Sequence, residues 1–274
     1  MRKNLVREKL LRGQPSVGTW LCLPDPVAAR LLACVGFDWL TVELEHAPLT
    51  METAAHIFGL VATQGAAIGG QGGVPTVPFV RVPSNTTENI KRVLDNGAMG
   101  IVVPMVNSKA EAERVVAAAR YAPQGKRSVG GFLHAANFGT DPATYYERAN
   151  DEVLVVVQTE HIDAVERADE ILSVPGIDAF FIGPNDLLKS MGHTPAMDSD
   201  APAFVAAIDH LLAMGKKHAV AAGIHTADAA AARQRIEQGF QFVAIASDVA
   251  LLLAKAQAEL SALGLGSKGS VVRY

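Results

Sequence analysis

Four segments of the chain place charged or amide side chains directly after short apolar runs. The segments read TVELEHAP, FVRVP, VVVQTEH and FFIGPNDL. Carboxylates, histidine, arginine and glutamine are side chains that bind metal ions, move protons and hold anions. The candidates for chemistry are therefore Glu43, Glu45, His46, Arg81, Gln158, Glu160 and Asp186.

Glu160 and Asp186 are the candidates for binding a divalent metal. Two carboxylates, completed by water and substrate oxygens, provide the octahedral oxygen ligands that Mg²⁺ or Mn²⁺ prefers. Asp186 also lies just before an apolar helical segment, where an aspartate often caps the helix N-terminus. The residues alone leave both roles open.

Arg81 and His46 are the candidates for anion binding and proton transfer. A permanent cation at the end of an apolar strand needs an anion nearby, either a bound carboxylate or enolate or a neighbouring acid such as Glu45. His46 follows Glu43 and Glu45, so a carboxylate could orient it as a general base, although a loop histidine can equally be structural. No lysine ends an apolar run. This disfavours Schiff-base chemistry, so any enolate would need a metal to take up its charge.

Eight short apolar runs alternate with segments of helical spacing, which predicts that these side chains lie at strand ends. Near-continuous hydrophobic runs are typical of parallel strands buried on both faces. Eight such units favour a (β/α)8 TIM barrel over a doubly wound sheet, and the absence of a GxGxxG motif argues against dinucleotide binding. The predicted strands are 17–22, 39–44, 78–82, 100–105, 153–158, 179–182, 219–223 and 242–246, and the clearest predicted helices are 87–96, 109–120, 164–173, 203–214 and 227–239.

Glycines and loops complete the predicted organisation. Gly97, Gly215 and Gly239 each follow a helical pattern and precede a strand, so each is predicted to cap a helix in the left-handed conformation. Residues 121–150 are predicted to be a long functional loop with one short helix at 142–149. We expect one barrel domain across 1–274, with the barrel at about 16–263 and a flexible tail at about 264–274.

Composition excludes several classes of protein. The 274 residues carry 24 Lys and Arg against 28 Asp and Glu, and 49% are hydrophobic. This balance disfavours disorder and a nucleic-acid partner. The charged N-terminal segment and the lack of a run of about 18 apolar residues disfavour export and a membrane partner, so we expect a cytoplasmic protein. A mean hydropathy of +0.20 is compatible with apolar surface hidden between subunits.

Five segments, in order and with matching spacing, resemble the HpcH/HpaI aldolase family of metal-dependent class II pyruvate aldolases. The resemblance runs from about residue 16 to about residue 263. The segments are GTWLCLPDPVAARLLACVGFDWLTVELEHAP, FVRVPSNTTENIKRVLDNGAMGIVVPMVNS, ARYAPQGKRSVGG, VVVQTE and GIDAFFIGPNDL.

The resemblance implies a TIM barrel of the phosphoenolpyruvate/pyruvate-binding type and a divalent metal, Mg²⁺, Mn²⁺ or Co²⁺. It makes Glu160 and Asp186 the two protein ligands of that metal, which would chelate pyruvate. Gln158 and the backbone of the Gly183–Pro184 turn would orient pyruvate.

The resemblance also implies the reaction and its proton carrier. Arg81 would stabilise the enolate, and His46, paired with Glu43 or Asp95, would act through a metal-bound water. The expected reaction is reversible retro-aldol cleavage of a 4-hydroxy-2-oxo acid to pyruvate and an aldehyde. A citrate-lyase β-like lyase acting on a CoA thioester and a non-catalytic keto-acid-binding barrel are the alternatives.

Two further expectations concern the aldehyde and the assembly. The segment GFLHAANFG replaces an arginine-containing stretch of the family, so His134 or Asn137 would meet the aldehyde half of the substrate. The family implies a homohexamer, a trimer of dimers with exchanged C-terminal helices. Residues 248–263 are the candidate segment, although they could equally form the ordinary eighth barrel helix.

Overall fold

The computed structural model describes residues 1–64 and 75–265. Its strands form a closed barrel in chain order, and each strand pairs in parallel with the next until the eighth pairs with the first. The predicted (β/α)8 barrel is confirmed. The strands are β1 (Ser16–Leu21), β2 (Trp39–Glu43), β3 (Val77–Arg81), β4 (Gly100–Val103), β5 (Leu154–Gln158), β6 (Ala179–Ile182), β7 (Ala221–Thr226) and β8 (Phe242–Ser247).

Thirteen helices connect or flank the strands within the described residues. Many begin at side-chain caps; for example, Thr86 accepts from the Asn89 N–H, Ser108 from Glu111 and Asp228 from Ala231. These caps set where each helix leaves the loop above the barrel. The helices are α1 (Leu5–Leu11), α2 (Pro26–Ala33), α3 (Met51–Thr63), α4 (Thr87–Asp95), α5 (Lys109–Ala119), α6 (Phe132–Asn137), α7 (Pro142–Glu152), α8 (Ile162–Glu166), α9 (Ala168–Leu172), α10 (Pro184–Ser190), α11 (Pro202–His218), α12 (Ala229–Glu237) and α13 (Asp248–Ala262).

Several element boundaries differ from the sequence-based expectation. Gly97 and Gly239 have φ of 110° and 107° and follow their helices as expected. The prediction for Gly215 is wrong, because it lies inside α11, where an added Cβ would come within 2.6 Å of the Phe180 ring. Close packing of the helix against the barrel explains this glycine. The helix instead continues to His218 and is capped by Ala219, with φ of 54°, and β7 consequently starts two residues later than predicted. The helix predicted at 164–173 divides into α8 and α9.

The barrel interior is filled by large aromatic rings. Trp39 and Phe242 stack with their centroids 4.2 Å apart, and Phe79 and Phe181 pack against Phe242. The residues on the opposite face of each strand pack against the helices in a separate cluster. The interior is therefore a packed core, which leaves the strand ends for function.

The amino-terminal end of the barrel is closed by α1. Val6 and Leu10 are buried and belong to the same cluster as the interior rings. The Asn4 side-chain amide donates to the Met99 and Glu152 carbonyls at 2.9 and 2.8 Å. These contacts fix α1 across the ends of β4 and β5.

A buried arginine beside α1 has both of its Nη groups paired. Arg120 Nη1 donates to the Asn150 and Val153 carbonyls at 2.6 and 2.8 Å. Its Nη2 donates to the Gly176 carbonyl at 3.0 Å and to Asp178 Oδ2 at 2.6 Å. The group serves to connect loops at this end of the barrel.

The C-terminal helix packs little against its own barrel. Only Asp248 of α13 is buried, whereas Leu252 and Leu260 are 61% and 49% exposed. Most of the predicted tail lies outside the described residues. Within residues 1–64 and 75–265, no helix combines the length and apolarity needed to cross a membrane.

Candidate active site at the carboxyl-terminal end of the barrel

A cavity of about 240 Å³ opens where the strands end at their carboxyl termini. A larger cavity of about 770 Å³ lies at the opposite end beside α1. We assign the site to the smaller cavity, because side chains able to do chemistry converge on it and active sites of such barrels lie at this end. Its lining includes Trp20, Glu43, Arg81, Gln158, Gly183 and His225.

Arg81, the last residue of β3, lines this cavity and has hydrogen-bond donors without a partner among the described residues. Its Nε lies 2.7 Å from Glu43 Oε2 and 3.2 Å from Glu45 Oε2, and its guanidinium carbon lies 4.9 Å from the Trp20 ring centroid. No described residue hydrogen-bonds its two Nη groups. The neighbouring carboxylates hold the head group while the Nη groups stay free for an anion.

His46 lies at the rim of the cavity, with 60% of its side chain exposed. Its Nε2 is 3.8 Å from Glu45 Oε2, so Glu45 is the acid beside the ring. Glu43 instead accepts the backbone N–H groups of Glu45 and His46 through Oε1, at 2.6 and 3.0 Å. The structure therefore places Glu43 where it shapes the loop and holds Arg81. Burial raises the pKa of Glu45, an effect that Arg81 partly offsets.

Glu160 is a buried carboxylate just beyond β5 with one oxygen unpaired. Oε1 accepts the Met105 N–H at 3.0 Å, and Met105 has φ of 53°, an uncommon backbone conformation for a side chain other than glycine. Oε2 has no hydrogen-bond partner among the described residues. Burial raises the pKa of Glu160 to about 8, against the opposing effect of Arg81. A buried, unpaired carboxylate oxygen is costly unless a cation or proton joins it.

Gly183 provides space beside the Glu160 carboxylate. An added Cβ would come within 2.6 Å of Glu160 Oε2 and 3.2 Å of Gln158 Nε2. Gln158 Oε1 is likewise buried and unpaired among the described residues. Gly183, which directly follows β6, thus has no side chain at the point where two polar groups need room for a ligand.

Asp186 lies in the first turn of α10, exposed and lining the cavity. The residue at the N-cap is Gly183, with no side-chain cap, so the capping role considered for Asp186 is wrong. Its carboxylate accepts no hydrogen bond from a described residue and raises the pKa of Glu160, as a nearby negative charge must.

These groups fit a hydrated divalent cation. Across the described parts of the chain, no three or more His, Cys, Asp or Glu side chains converge as in a closed metal cage. Mg²⁺ commonly keeps several waters and takes only one or two carboxylates. The free oxygens of Glu160 and Asp186 meet that requirement.

The structure does not bring Asp95 to His46 within one chain. Asp95 ends α4, which runs antiparallel to the strands and so delivers it to the amino-terminal end of the barrel. There Asp95 Oδ1 accepts from Arg127 Nη2 at 2.7 Å, and its Oδ2 lies 3.5 Å from His134 Nε2. The Asn137 side chain donates to the Asp95 carbonyl at 2.9 Å.

The segment expected to form the functional loop therefore lies away from the cavity of its own chain. It contains α6 and α7 rather than one short helix, and none of its residues lines the cavity. His134 and Asn137 thus do not meet a ligand in that cavity.

Sequence reasoning missed several residues that line the cavity. Trp20 and Cys22 come from the end of β1 and His225 from β7. Because β7 was predicted to end at residue 223, His225 fell outside it. Alternation along AAGIHT, with Ala221 and Gly223 facing inward, would have found it. Burial raises the pKa of the Cys22 thiol to about 12, so it is not a thiolate near neutral pH.

The fold is a closed parallel barrel. At its carboxyl-terminal end lie Arg81, with Nη donors that no described residue occupies, and the two carboxylates of Glu160 and Asp186. This arrangement is typical of a barrel enzyme that acts on small anions. The chain belongs to the family described as HpcH/HpaI aldolase/citrate lyase, whose model matches residues 16–254.

Three similar proteins indicate the activity of the chain within this family. A hydroxypyruvate/pyruvate aldolase from Deinococcus radiodurans is 39% identical over 91% of this chain and 86% of its own. A 4-hydroxy-2-oxo-heptane-1,7-dioate aldolase from Salmonella newport is 38% identical over 97% of both chains. The crystal structure of a family member from Burkholderia cenocepacia has a TM-score of 0.86 at 34% identity and covers 96% of this chain and 100% of that chain. The protein is accordingly an aldolase, a carbon–carbon lyase.

Proposed function

We propose that the protein is a metal-dependent class II aldolase that reversibly cleaves a 4-hydroxy-2-oxo acid to pyruvate and an aldehyde. The observation that carries the proposal is that two groups beside one cavity lack hydrogen-bond partners among the described residues: the Nη donors of Arg81 and one carboxylate oxygen of Glu160. The relatives named for pyruvate, hydroxypyruvate and a 4-hydroxy-2-oxo diacid support this substrate class.

Glu160 and Asp186 would hold the divalent metal, Mg²⁺, Mn²⁺ or Co²⁺. When bound, such an ion withdraws electron density from a keto-acid oxygen and so stabilises an enolate. Gln158 and the Gly183–Pro184 turn orient the keto acid next to these carboxylates. The Cβ-free position at Gly183 keeps that space open.

Arg81 binds the oxygen on which negative charge develops as the carbon–carbon bond breaks. Glu43 and Glu45 fix its Nε side, so the Nη donors are oriented before the reaction begins. Donors oriented in advance at a developing oxyanion are worth about 3–4 kcal/mol of transition-state stabilisation.

His46 accepts the proton of the substrate 4-hydroxyl as the C3–C4 bond breaks. The bonding electrons pass to the keto-acid fragment as an enolate, and the 4-carbon becomes the aldehyde. The proton that His46 took up then returns, directly or through solvent, to C3 of the enolate and gives pyruvate. Glu45 is the acid that orients the His46 ring within the chain. Asp95 could reach a His46 ring only from a second subunit, since the two lie at opposite ends of one barrel.

A second subunit is part of the proposal because α13 leaves its leucines uncovered. Leu252 is 61% exposed, and Leu31 and Val35, in and just after α2, are each 54% exposed. Apolar patches of this kind commonly mark interfaces. We infer a homohexamer, a trimer of dimers in which α13 packs on a neighbour, and light scattering of the full chain measures it.

The decisive test is chelation. Exhaustive treatment with EDTA should abolish pyruvate release from racemic 4-hydroxy-2-oxo acids, and Mg²⁺, Mn²⁺ or Co²⁺ should restore it. Unchanged pyruvate release after complete chelation would overturn the metal-dependent mechanism. Calorimetric binding of pyruvate without turnover of any 4-hydroxy-2-oxo acid would instead indicate a non-catalytic barrel. We propose that the reaction takes place in the cytoplasm, which the free thiols of Cys22 and Cys34 support.

A further inference from the structure

His225 is a polar side chain inside the barrel that the proposed mechanism does not use. It follows Ala221 and Gly223 on the inward face of β7 and lines the cavity. Its ring centroid lies 5.7 Å from that of Trp20 and 6.5 Å from that of Phe181. A histidine among aromatic rings, at the mouth of the barrel, faces whatever the cavity binds.

The protonation state of the ring is set by a backbone carbonyl. His225 Nε2 lies 2.8 Å from the Ala246 carbonyl oxygen. A carbonyl can only accept, so Nε2 carries the hydrogen and Nδ1 keeps a lone pair. Ala246 has φ of 50°, and backbone strain of this kind often accompanies functional sites.

The ring remains neutral in solution near neutral pH. Burial lowers the pKa of His225 to about 4, and the charge of Arg81 adds to that effect. No described residue hydrogen-bonds Nδ1. The cavity is therefore lined by a fixed, uncharged acceptor beside the Trp20 and Phe181 rings.

We propose that His225 determines substrate specificity by accepting, at Nδ1, a hydrogen bond from a hydroxyl group of the substrate. A carboxylate at this position has no hydrogen to donate, and a methyl group would leave the acceptor without a partner. A site built to bond a hydroxyl discriminates against the analogue that lacks it. The inference rests on the proposed aldolase function and adds the class of substrate, a hydroxylated one.

The hydroxyl can come from either reactant in the direction of synthesis. The keto acid carries it at C3 in hydroxypyruvate, and the aldehyde carries it next to the carbonyl in glycolaldehyde. Both present the same donor, so the two sources are separated by changing one reactant at a time. The reference pair is pyruvate with acetaldehyde, which carries neither hydroxyl.

Three variants separate the two nitrogens of the ring. His225→Asn keeps an acceptor near the position of Nδ1, and His225→Gln keeps a donor near the position of Nε2. His225→Phe keeps the aromatic shape and removes both. Circular dichroism and melting temperature verify that each variant is folded.

The measurement is kcat/KM for three pairs: pyruvate with acetaldehyde, hydroxypyruvate with acetaldehyde, and pyruvate with glycolaldehyde. Dividing each hydroxylated pair by the reference pair cancels the effects of a variant on general activity. We expect the ratio for one source to fall about ten-fold in His225→Phe and His225→Gln, and to stay within about three-fold of wild type in His225→Asn. The source whose ratio falls is the one that His225 contacts.

Each outcome bears on a different claim. If wild type turns over none of the pairs, the aldolase proposal fails, and the inference fails with it. If wild type is active but both ratios are the same in all variants, His225 has no specificity role and the aldolase proposal stands. If His225→Phe does not fold, the comparison of His225→Asn with His225→Gln decides, and equal ratios in these two overturn the inference.

Discussion

The two ends of the barrel each contain a largely buried arginine, and the two differ in what their donors do. At the amino-terminal end, both Nη groups of Arg120 donate to carbonyls or to Asp178. At the carboxyl-terminal end, Arg81 is held through Nε alone and its Nη groups have no described partner. The two arginines therefore differ in their Nη groups: those of Arg120 are occupied within the fold, whereas its Nε is buried without a partner among the described residues, and those of Arg81 are free for the proposed ligand.

The same contrast holds for the carboxylates. Glu152, at the amino-terminal end, accepts from the Asn4 N–H at 2.7 Å and from Arg148 at 3.1 Å. Glu160 leaves one oxygen without a partner. Unpaired buried polar atoms cost stability, and proteins retain them where a ligand completes them.

The largest effect is expected from Glu160→Gln, which removes a carboxylate from the carboxyl-terminal end of the barrel. Activity should fall roughly 10³-fold or more, because the metal supplies several kcal/mol of charge stabilisation. Glu152→Gln is the matched control at the amino-terminal end. It should lower the free energy of unfolding by about 1–3 kcal/mol while kcat stays near wild type. Metal titration by calorimetry and urea denaturation measure the two effects. Normal metal binding in Glu160→Gln would contradict the proposed difference between Glu160, as a metal ligand, and Glu152, as a structural carboxylate.

Exchanging each arginine for lysine tests the contrast directly. Arg81→Lys should lower kcat about 10²–10³-fold with little change in melting temperature, since a lysine cannot reproduce the held Nε and the free Nη pair. Arg120→Lys should cost about 3–5 kcal/mol of stability, because it leaves Asp178 and several buried carbonyls incompletely paired. A kinetic defect in folded Arg120→Lys equal to that of Arg81→Lys would show that the pairing of the Nη groups does not separate the two roles.

A smaller effect is expected where space is the only variable. Gly183→Ala places a Cβ within 2.6 Å of Glu160 Oε2 and should weaken metal binding about ten-fold. Gly59→Ala in α3 meets no atom within 4 Å and should stabilise the fold by up to about 1 kcal/mol. Equal metal affinity in Gly183→Ala and wild type would mean that the ligand lies elsewhere.

The smallest effect is a pH dependence of metal binding. The Glu160 pKa is raised from 4.5 to about 8, so below that pH a proton competes with the metal and affinity rises with pH. The expected rise is about five-fold between pH 7 and pH 8. In the metal-free protein the sign is opposite, since stability falls as pH rises from 4.5 through about 8 and the buried group ionises. Calorimetry at several pH values measures the first effect, and Glu160→Gln should abolish it.

The sequence was sufficient for the fold and for much of the site. Continuous apolar runs predicted the eight strands, and the polar residues that follow them include Arg81, Gln158 and Asp186, which line the cavity. The sequence could place them there because a parallel barrel converts position at a strand end into position in space.

Other features depended on contacts that no local pattern contains. Which acid lies beside the His46 ring is decided by the turn of the β2 loop, where Glu43 is occupied by two backbone N–H groups and Arg81. Asp95 was assigned by resemblance alone, and the direction of α4 carries it to the other end. Gly215 was interpreted as a helix cap, whereas it serves close packing against Phe180.

Closure of the amino-terminal end of the barrel by α1 has a consequence for the order in which reactants bind and leave during turnover. With Val6 and Leu10 filling the amino-terminal end, the cavity communicates with solvent on one side only. Gln158 is buried within it, whereas His46 lies at the rim. Two reactants that share a single entrance must follow a sequence, so a keto acid bound beside Gln158, as proposed above, would enter before the aldehyde and depart after it.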